Sequence, residues 1–108
     1  MTQKIFKARA KQFIQNKLVT DMVWMLKGLN VVFNNQTDIE QLTEDTKLHN
    51  RKGFTPADAK FCCSVAKKAG RYPLSEKQVF VLRKRLPKYW KQIYVTCDME
   101  KLTKLIAA

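Results

Sequence analysis

The feature that most constrains this chain is the spacing of its apolar residues after Asp21. Met22, Met25, Leu26, Leu29, Val32 and Phe33 fall at i, i+3, i+4, i+7, i+10 and i+11, which lines them along one face of an α-helix. In a strand the same residues would be scattered over two opposite faces. No segment of the chain alternates convincingly with the period of a strand, so the expectation is an all-α fold, a compact bundle of about five or six short helices. At 108 residues the chain suits one domain with a modest core. Within it, residues 1–35 read as N-terminal helices, 36–95 as a basic module and 96–108 as a C-terminal helix.

Local signals place the helices. The first is expected over about residues 2–16, with Phe6, Ala10 and Phe13 on one stripe and Ile5 and Ile14 beside it. Thr20 suits an N-cap for the second, with Asp21 beside the positive end of the helix dipole. Gly28 weakens that helix by about 1 kcal/mol relative to Ala, which points to a close helix crossing. Thr37 and Glu40 form a capping box that opens a short helix to about residue 47, and residues 49–53 read as a loop. Thr55 then caps a helix with Pro56 at its first position, where the missing N–H costs nothing. This helix is expected to bury Ala59, Cys62, Cys63 and Ala66 and to stop at Gly70 in a left-handed conformation. Ser75 and Gln78 form a second capping box, before a helix that buries Val79, Leu82, Leu86, Tyr89 or Trp90, and Ile93. Pro87 should kink or split it. A last helix over about residues 98–106 offers Leu102, Leu105 and Ile106 to the core.

The cysteines argue for a reducing compartment. There are three, and two of them, Cys62 and Cys63, are adjacent, where a disulfide would be strained. With Cys97 and the lone His49 they do not make the paired spacings of a zinc site. Buried free thiols are the expectation, with no metal and no cofactor. No apolar run approaches the roughly 18 residues of a spanning helix, and none follows the basic N-terminus as in a signal peptide. The expected location is the cytoplasm.

Charge carries the functional information. The formal net charge is +12, and it is concentrated. Residues 1–46 hold six Lys/Arg and five Asp/Glu, residues 47–95 hold thirteen and two, and the tail holds two of each. Such asymmetry within one domain costs self-repulsion and is usually directed at a polyanion. Lys77, Lys84, Lys88 and Lys91 share one stripe of the expected helix, with Arg83 and Arg85 flanking it. Lys67, Lys68 and Arg71 form a corner at the end of the preceding helix, and Arg51 and Lys52 load the loop. Lysines at one or two helical turns apart can follow a phosphate backbone as flexible point charges, positioning the protein without reading sequence. The helix starts at Thr55 and Ser75 offer further N–H groups to a phosphate. Phe54, Tyr72, Tyr89 and Trp90 lie among these cations, where an exposed ring stacks bases of a single strand, although Phe54 reads more as an anchor of the loop. Only one of Tyr89 and Trp90 can point fully inward. Asp58 and Glu76, the two acids of this half, read as helix-start residues, too few for a metal-dependent nuclease. No enzyme activity is expected.

The segments Asn50-Arg51-Lys52-Gly53-Phe54-Thr55-Pro56-Ala57-Asp58-Ala59, Leu74-Ser75-Glu76-Lys77-Gln78 and Leu86-Pro87-Lys88-Tyr89-Trp90-Lys91-Gln92-Ile93 come in an order that resembles a small helical module of phage, plasmid and bacterial DNA-processing proteins. That module is often appended to superfamily-two helicases and is akin to the small domain accompanying the phage recombination helicase UvsW. The resemblance spans residues 36–93. It implies DNA engagement without catalysis, on single-stranded or branched DNA, in recombination, repair or replication. It also implies a helicase or other DNA-processing partner, and makes Gly53-Phe54 the loop signature and Lys77, Gln78, Lys88, Tyr89 and Gln92 that of the basic helix. The candidate binding residues are therefore Arg51, Lys52, Phe54, Lys67, Lys68, Arg71, Lys77, Gln78, Arg83, Lys84, Lys88, Tyr89 and Lys91. RNA in place of DNA, a helix-turn-helix regulator reading duplex DNA with residues 75–86, and a small anti-defence inhibitor of a host nucleic-acid machine are the alternatives, and the oligomeric state stays open.

Overall fold

The computed structural model describes residues 2–43 and 52–107. Arg51 and His49 lie outside them, as does the expected end of the third helix. The described residues form only helices and their connections: α1 (Gln3–Thr20), α2 (Met22–Asn34), α3 (Asp38–Thr43), α4 (Pro56–Lys68), α5 (Glu76–Arg85), a 3₁₀ turn (Leu86–Tyr89), α6 (Trp90–Tyr94) and α7 (Met99–Ala107). The chain is thus an all-α bundle, as the apolar periodicity indicates.

The first boundary moves by a full turn. Thr2 caps α1 by accepting from the Ile5 N–H at 3.2 Å, and the helix runs through Thr20, whose hydroxyl donates back to the Asn16 carbonyl. The buried stripe is Ala10, Ile14 and Leu18 rather than Phe6, Ala10 and Phe13, and Ile5 is exposed. Leu18 is the residue that draws the helix past Asn16. Asp21, not Thr20, is the break and the cap of α2: its backbone is extended, and its carboxylate accepts from the Val23 N–H at 2.9 Å. Along α2, Met25, Gly28, Leu29 and Val32 are buried. A Cβ at Gly28 would lie 2.7 Å from Leu18 Cδ2 and 2.9 Å from Ile93 Cδ1, so three helices meet closely there and a larger residue would have to push those two methyl groups aside. Phe13 and Trp24 close the α1–α2 seam edge to face, 5.7 Å between centroids.

Both capping boxes form, Thr37 with Glu40 and Ser75 with Gln78. Pro56 opens α4, which buries Ala59, Cys62, Cys63 and Val65. Its end departs from expectation: Ala69 is the C-cap in right-handed conformation, and Gly53, not Gly70, is the glycine with positive φ among the described residues. The Ala69 N–H continues to the Val65 carbonyl, and Arg71 and Tyr72 N–H groups both reach the Lys68 carbonyl. The last turn therefore closes without a left-handed residue.

Pro87 splits the basic helix, as its ring and missing N–H require. The segment Leu86–Tyr89 tightens to 3₁₀ geometry, and the side-chain amide of Gln15 on α1 donates to the Pro87 carbonyl at 3.1 Å. Leu82, Leu86, Tyr89 and Ile93 face inward across the break, while Val79 is only half-buried. Asp98 caps α7 through the Glu100 and Lys101 N–H groups. Of its three expected core residues only Leu102 is buried, and Leu105 is exposed.

Candidate nucleic-acid interface

The start of α4 and the 3₁₀ turn are joined around one buried carboxylate. Asp58 is 3% exposed. Its Oδ1 accepts from Arg85 Nη1 at 3.1 Å, its Oδ2 accepts from the Tyr89 hydroxyl, and Lys88 Nζ pairs with the same oxygen. The Tyr89 oxygen accepts from the Thr55 N–H at 3.0 Å, and the Phe54 and Tyr89 rings meet edge to face at 5.6 Å. Burial pushes the Asp58 carboxyl up. The hydrogen bonds from Lys88 and Tyr89 and the charges of Lys88 and Arg85 outweigh it, so the group titrates below the usual carboxylate value. Burial, with Asp58 adding to it, pushes the neighbouring Cys62 thiol up to about 12 and raises the Tyr89 phenol as well. Both stay protonated at neutral pH.

Gln92 makes a second clasp one turn further on. Its Oε1 accepts from the Gly53 N–H at 2.9 Å and from Asn35 Nδ2 at 2.8 Å, and its Nε2 donates to the Gly53 carbonyl at 2.9 Å. The positive φ of Gly53 (+79°) turns both of its backbone groups toward this one amide, and a Cβ there would also fall 1.8 Å from Gln36 Oε1. Gly53, Phe54, Asp58, Tyr89 and Gln92, which carry much of the resemblance, thus form one structural joint between loop, α4 and α6.

Several expected binding residues therefore belong to the interior. Phe54 and Tyr89 are buried and have no face for a base; Phe54 anchors the loop, and Tyr89 donates its hydroxyl to Asp58. Trp90 is the half-buried member of its pair, but its ring already packs on Tyr94 and under the Lys11 ammonium. Gln78 is the partner of Ser75 in the capping box. Lys88, half exposed, is an ion-pair partner of Asp58. The two helix starts expected to attract a phosphate each carry a carboxylate in the first turn, Asp58 and Glu76, which disfavours an anion there.

The remaining cations face outward. Lys52, Lys67, Lys68, Arg71, Lys77, Arg83, Lys84 and Lys91 are all exposed. The 3₁₀ turn interrupts the expected stripe, leaving Lys77 and Lys84 on α5 and Lys91 on α6. Lys52 and Lys91 line a cleft of about 390 Å³ with Asn35, Gln92 and Val95. Lys67 and Arg71 line another of about 620 Å³, where α2 contributes Lys27 and Asn30. Lys27 comes from the near-neutral half, so charge counting along the chain misses it. Lys60, absent from the expected binding residues, is a further exposed cation on α4.

Phe80 likewise escapes a reading of spacing. It is 57% exposed on the outer face of α5, with Lys84 Nζ 4.3 Å from its ring centroid. An apolar cleft of about 360 Å³ lies between α2 and α7, lined by Val23, Trp24, Val31, Ile93, Cys97 and Leu105 among others, and it shares Lys27 with the cleft of Lys67 and Arg71. No helix among the described residues is long and apolar enough to cross a membrane. No family model, curated protein or solved structure matches the chain.

Proposed function

We propose that this protein binds nucleic acid through its phosphate backbone, without catalysis and largely without sequence preference, as an accessory in phage or mobile-element DNA recombination, repair or replication. The observation that carries the reading is the fate of the two acids in the basic half. Asp58 is buried and engaged by Arg85, Lys88 and Tyr89, which leaves Glu76 as the exposed carboxylate among the described residues 52–95. Lys77, Arg83 and Lys84 on α5 therefore outnumber the one exposed acid of that helix, Glu76, and a polyanion that engages them gains by releasing its condensed counterions to the bulk. The resemblance of residues 36–93 favours DNA over RNA and a helicase or other DNA-processing protein as partner. The protonated Cys62 and Tyr89 and the fully engaged Asp58 support a structural use of the buried titratable groups rather than a catalytic one.

A helix-turn-helix regulator fits less well, since Gln78, the base-reading candidate near the start of α5, is held in its own cap. An inhibitor docking on a host nucleic-acid machine draws support from the apolar cleft between α2 and α7. The test is a binding titration against single-stranded, duplex and forked DNA and RNA. Changing Lys77, Lys84 and Lys91 together to Glu should weaken binding on the order of a hundredfold at low salt with the fold intact. Unchanged affinity in that variant, or no affinity for free nucleic acid in the parent protein, overturns the reading. Lys88 is left out because a Glu there would face buried Asp58 and unfold the joint.

A further inference from the structure

We infer that Phe80 is a base-stacking platform, so that the preferred ligand is a single strand with unpaired bases. The inference rests on the proposed nucleic-acid binding and adds the strand state. Residues 79–82 are all apolar, yet on α5 only Leu82 is buried. Phe80 keeps more than half of its surface in solvent, although burying such a ring is worth roughly 2 kcal/mol. Three of its four helix-face neighbours are cations, Lys77 at i−3, Arg83 at i+3 and Lys84 at i+4; the fourth is Glu76 at i−4, and all four are exposed. Tyr72, 65% exposed beside Arg71 in the turn that leads into α5, supplies a second open ring in the same connection.

The occupant of this face must offer a flat apolar surface bordered by negative charge. A nucleobase with its flanking phosphates does so. The base stacks on the ring, while Lys77, Arg83 and Lys84 reach the phosphates on either side. Lys84, already drawn to the ring by its quadrupole, needs only to swing outward. In a duplex the base faces are covered by their neighbours, and exposing one costs a few kcal/mol of unstacking. Duplex therefore meets the cations without the ring.

The experiment crosses the ring with the base. Affinities are measured for an oligodeoxythymidine, an abasic strand of equal length with the same phosphates, and a duplex of equal length. The proteins are the parent, Phe80→Ala and Phe80→Trp. The parent should prefer the oligodeoxythymidine to the abasic strand by on the order of ten- to a hundredfold, the range of one or two stacked bases. Phe80→Ala should abolish that preference while abasic and duplex affinities stay unchanged, and Phe80→Trp should restore it. Phe80→Ala lies on an exposed helix face and favours helix, and its circular dichroism should match the parent's. Binding of all ligands by the parent with no effect of Phe80→Ala overturns the stacking role and leaves backbone binding standing. An equal loss on all three ligands also overturns it, because the ring would then be structural. No binding of any ligand by the parent overturns both.

Discussion

Lys84 and Lys88 lie one helical turn apart, share a stripe on the helical wheel and would be indistinguishable in any count of charge, yet they belong to different regions. Lys88 turns toward the joint, where a buried carboxylate takes it together with Arg85. Lys84 lies on the open face of α5 over Phe80. The difference comes from Pro87, which ends α5 and rotates the turn beyond it, and from Asp58, which reaches that turn from another helix. A net charge of one sign is thus divided into cations that hold the fold and cations that face outward. The dividing agent is one acid.

Breaking the joint should produce the largest effect. Asp58→Ala leaves the Tyr89 hydroxyl and two cations without their acceptor, and removing one member of such a buried set costs about 3–5 kcal/mol, measurable by urea denaturation. The acid dependence has a defined sign. Because the folded carboxyl titrates below its ordinary value, its contribution is complete above about pH 4. It is lost as pH falls through the lower folded value. The stability difference between the parent and Asp58→Asn should accordingly be flat at neutral pH and shrink only in strong acid. A difference that shrinks near pH 6 would assign it to another group.

The second test reverses the two lysines separately. Lys88→Glu sets like charges against each other at Asp58 and should lower stability by about 2–3 kcal/mol. Lys84→Glu, on the open face, should change stability by less than about 0.5 kcal/mol and appear instead as weaker binding. Equal stability losses in both would erase the division. An effect smaller than that of Lys88→Glu is expected beneath both regions. Gly28→Ala gains about 1 kcal/mol of helix propensity, but its Cβ meets Leu18 and Ile93 at 2.7 and 2.9 Å. Overpacking of that kind costs about 1–3 kcal/mol. A net loss of about 1 kcal/mol with unchanged affinity would show that core and binding face vary independently.

What could be read from the residues alone was what depends on near neighbours. Both capping boxes, Pro56 at the head of α4, the break at Pro87 and the tight crossing at Gly28 come from local chemistry. The α1–α2 boundary slips because Thr20 and Asp21 are both good caps, and burial of Leu18 decides between them. The joint was out of reach because Asp58 and Tyr89 are 31 positions apart. A lone acid near a helix start reads as dipole compensation until its partners are brought to it. Phe80 was hidden for the converse reason. Within Val79-Phe80-Val81-Leu82 the spacing gives Val79 and Leu82 to the buried face, but only the packing of α5 shows how far the Phe80 ring stays in solvent.

Salt dependence is the sharpest measure of whether the outward cations bind a phosphate backbone. Affinity for an oligodeoxythymidine should fall linearly on a logarithmic plot against salt, with a slope of about −0.7 for each phosphate engaged. Several contacts along α4 and α5 therefore predict a slope of about −2 or steeper. An affinity independent of salt, or no binding at low salt, would contradict the account.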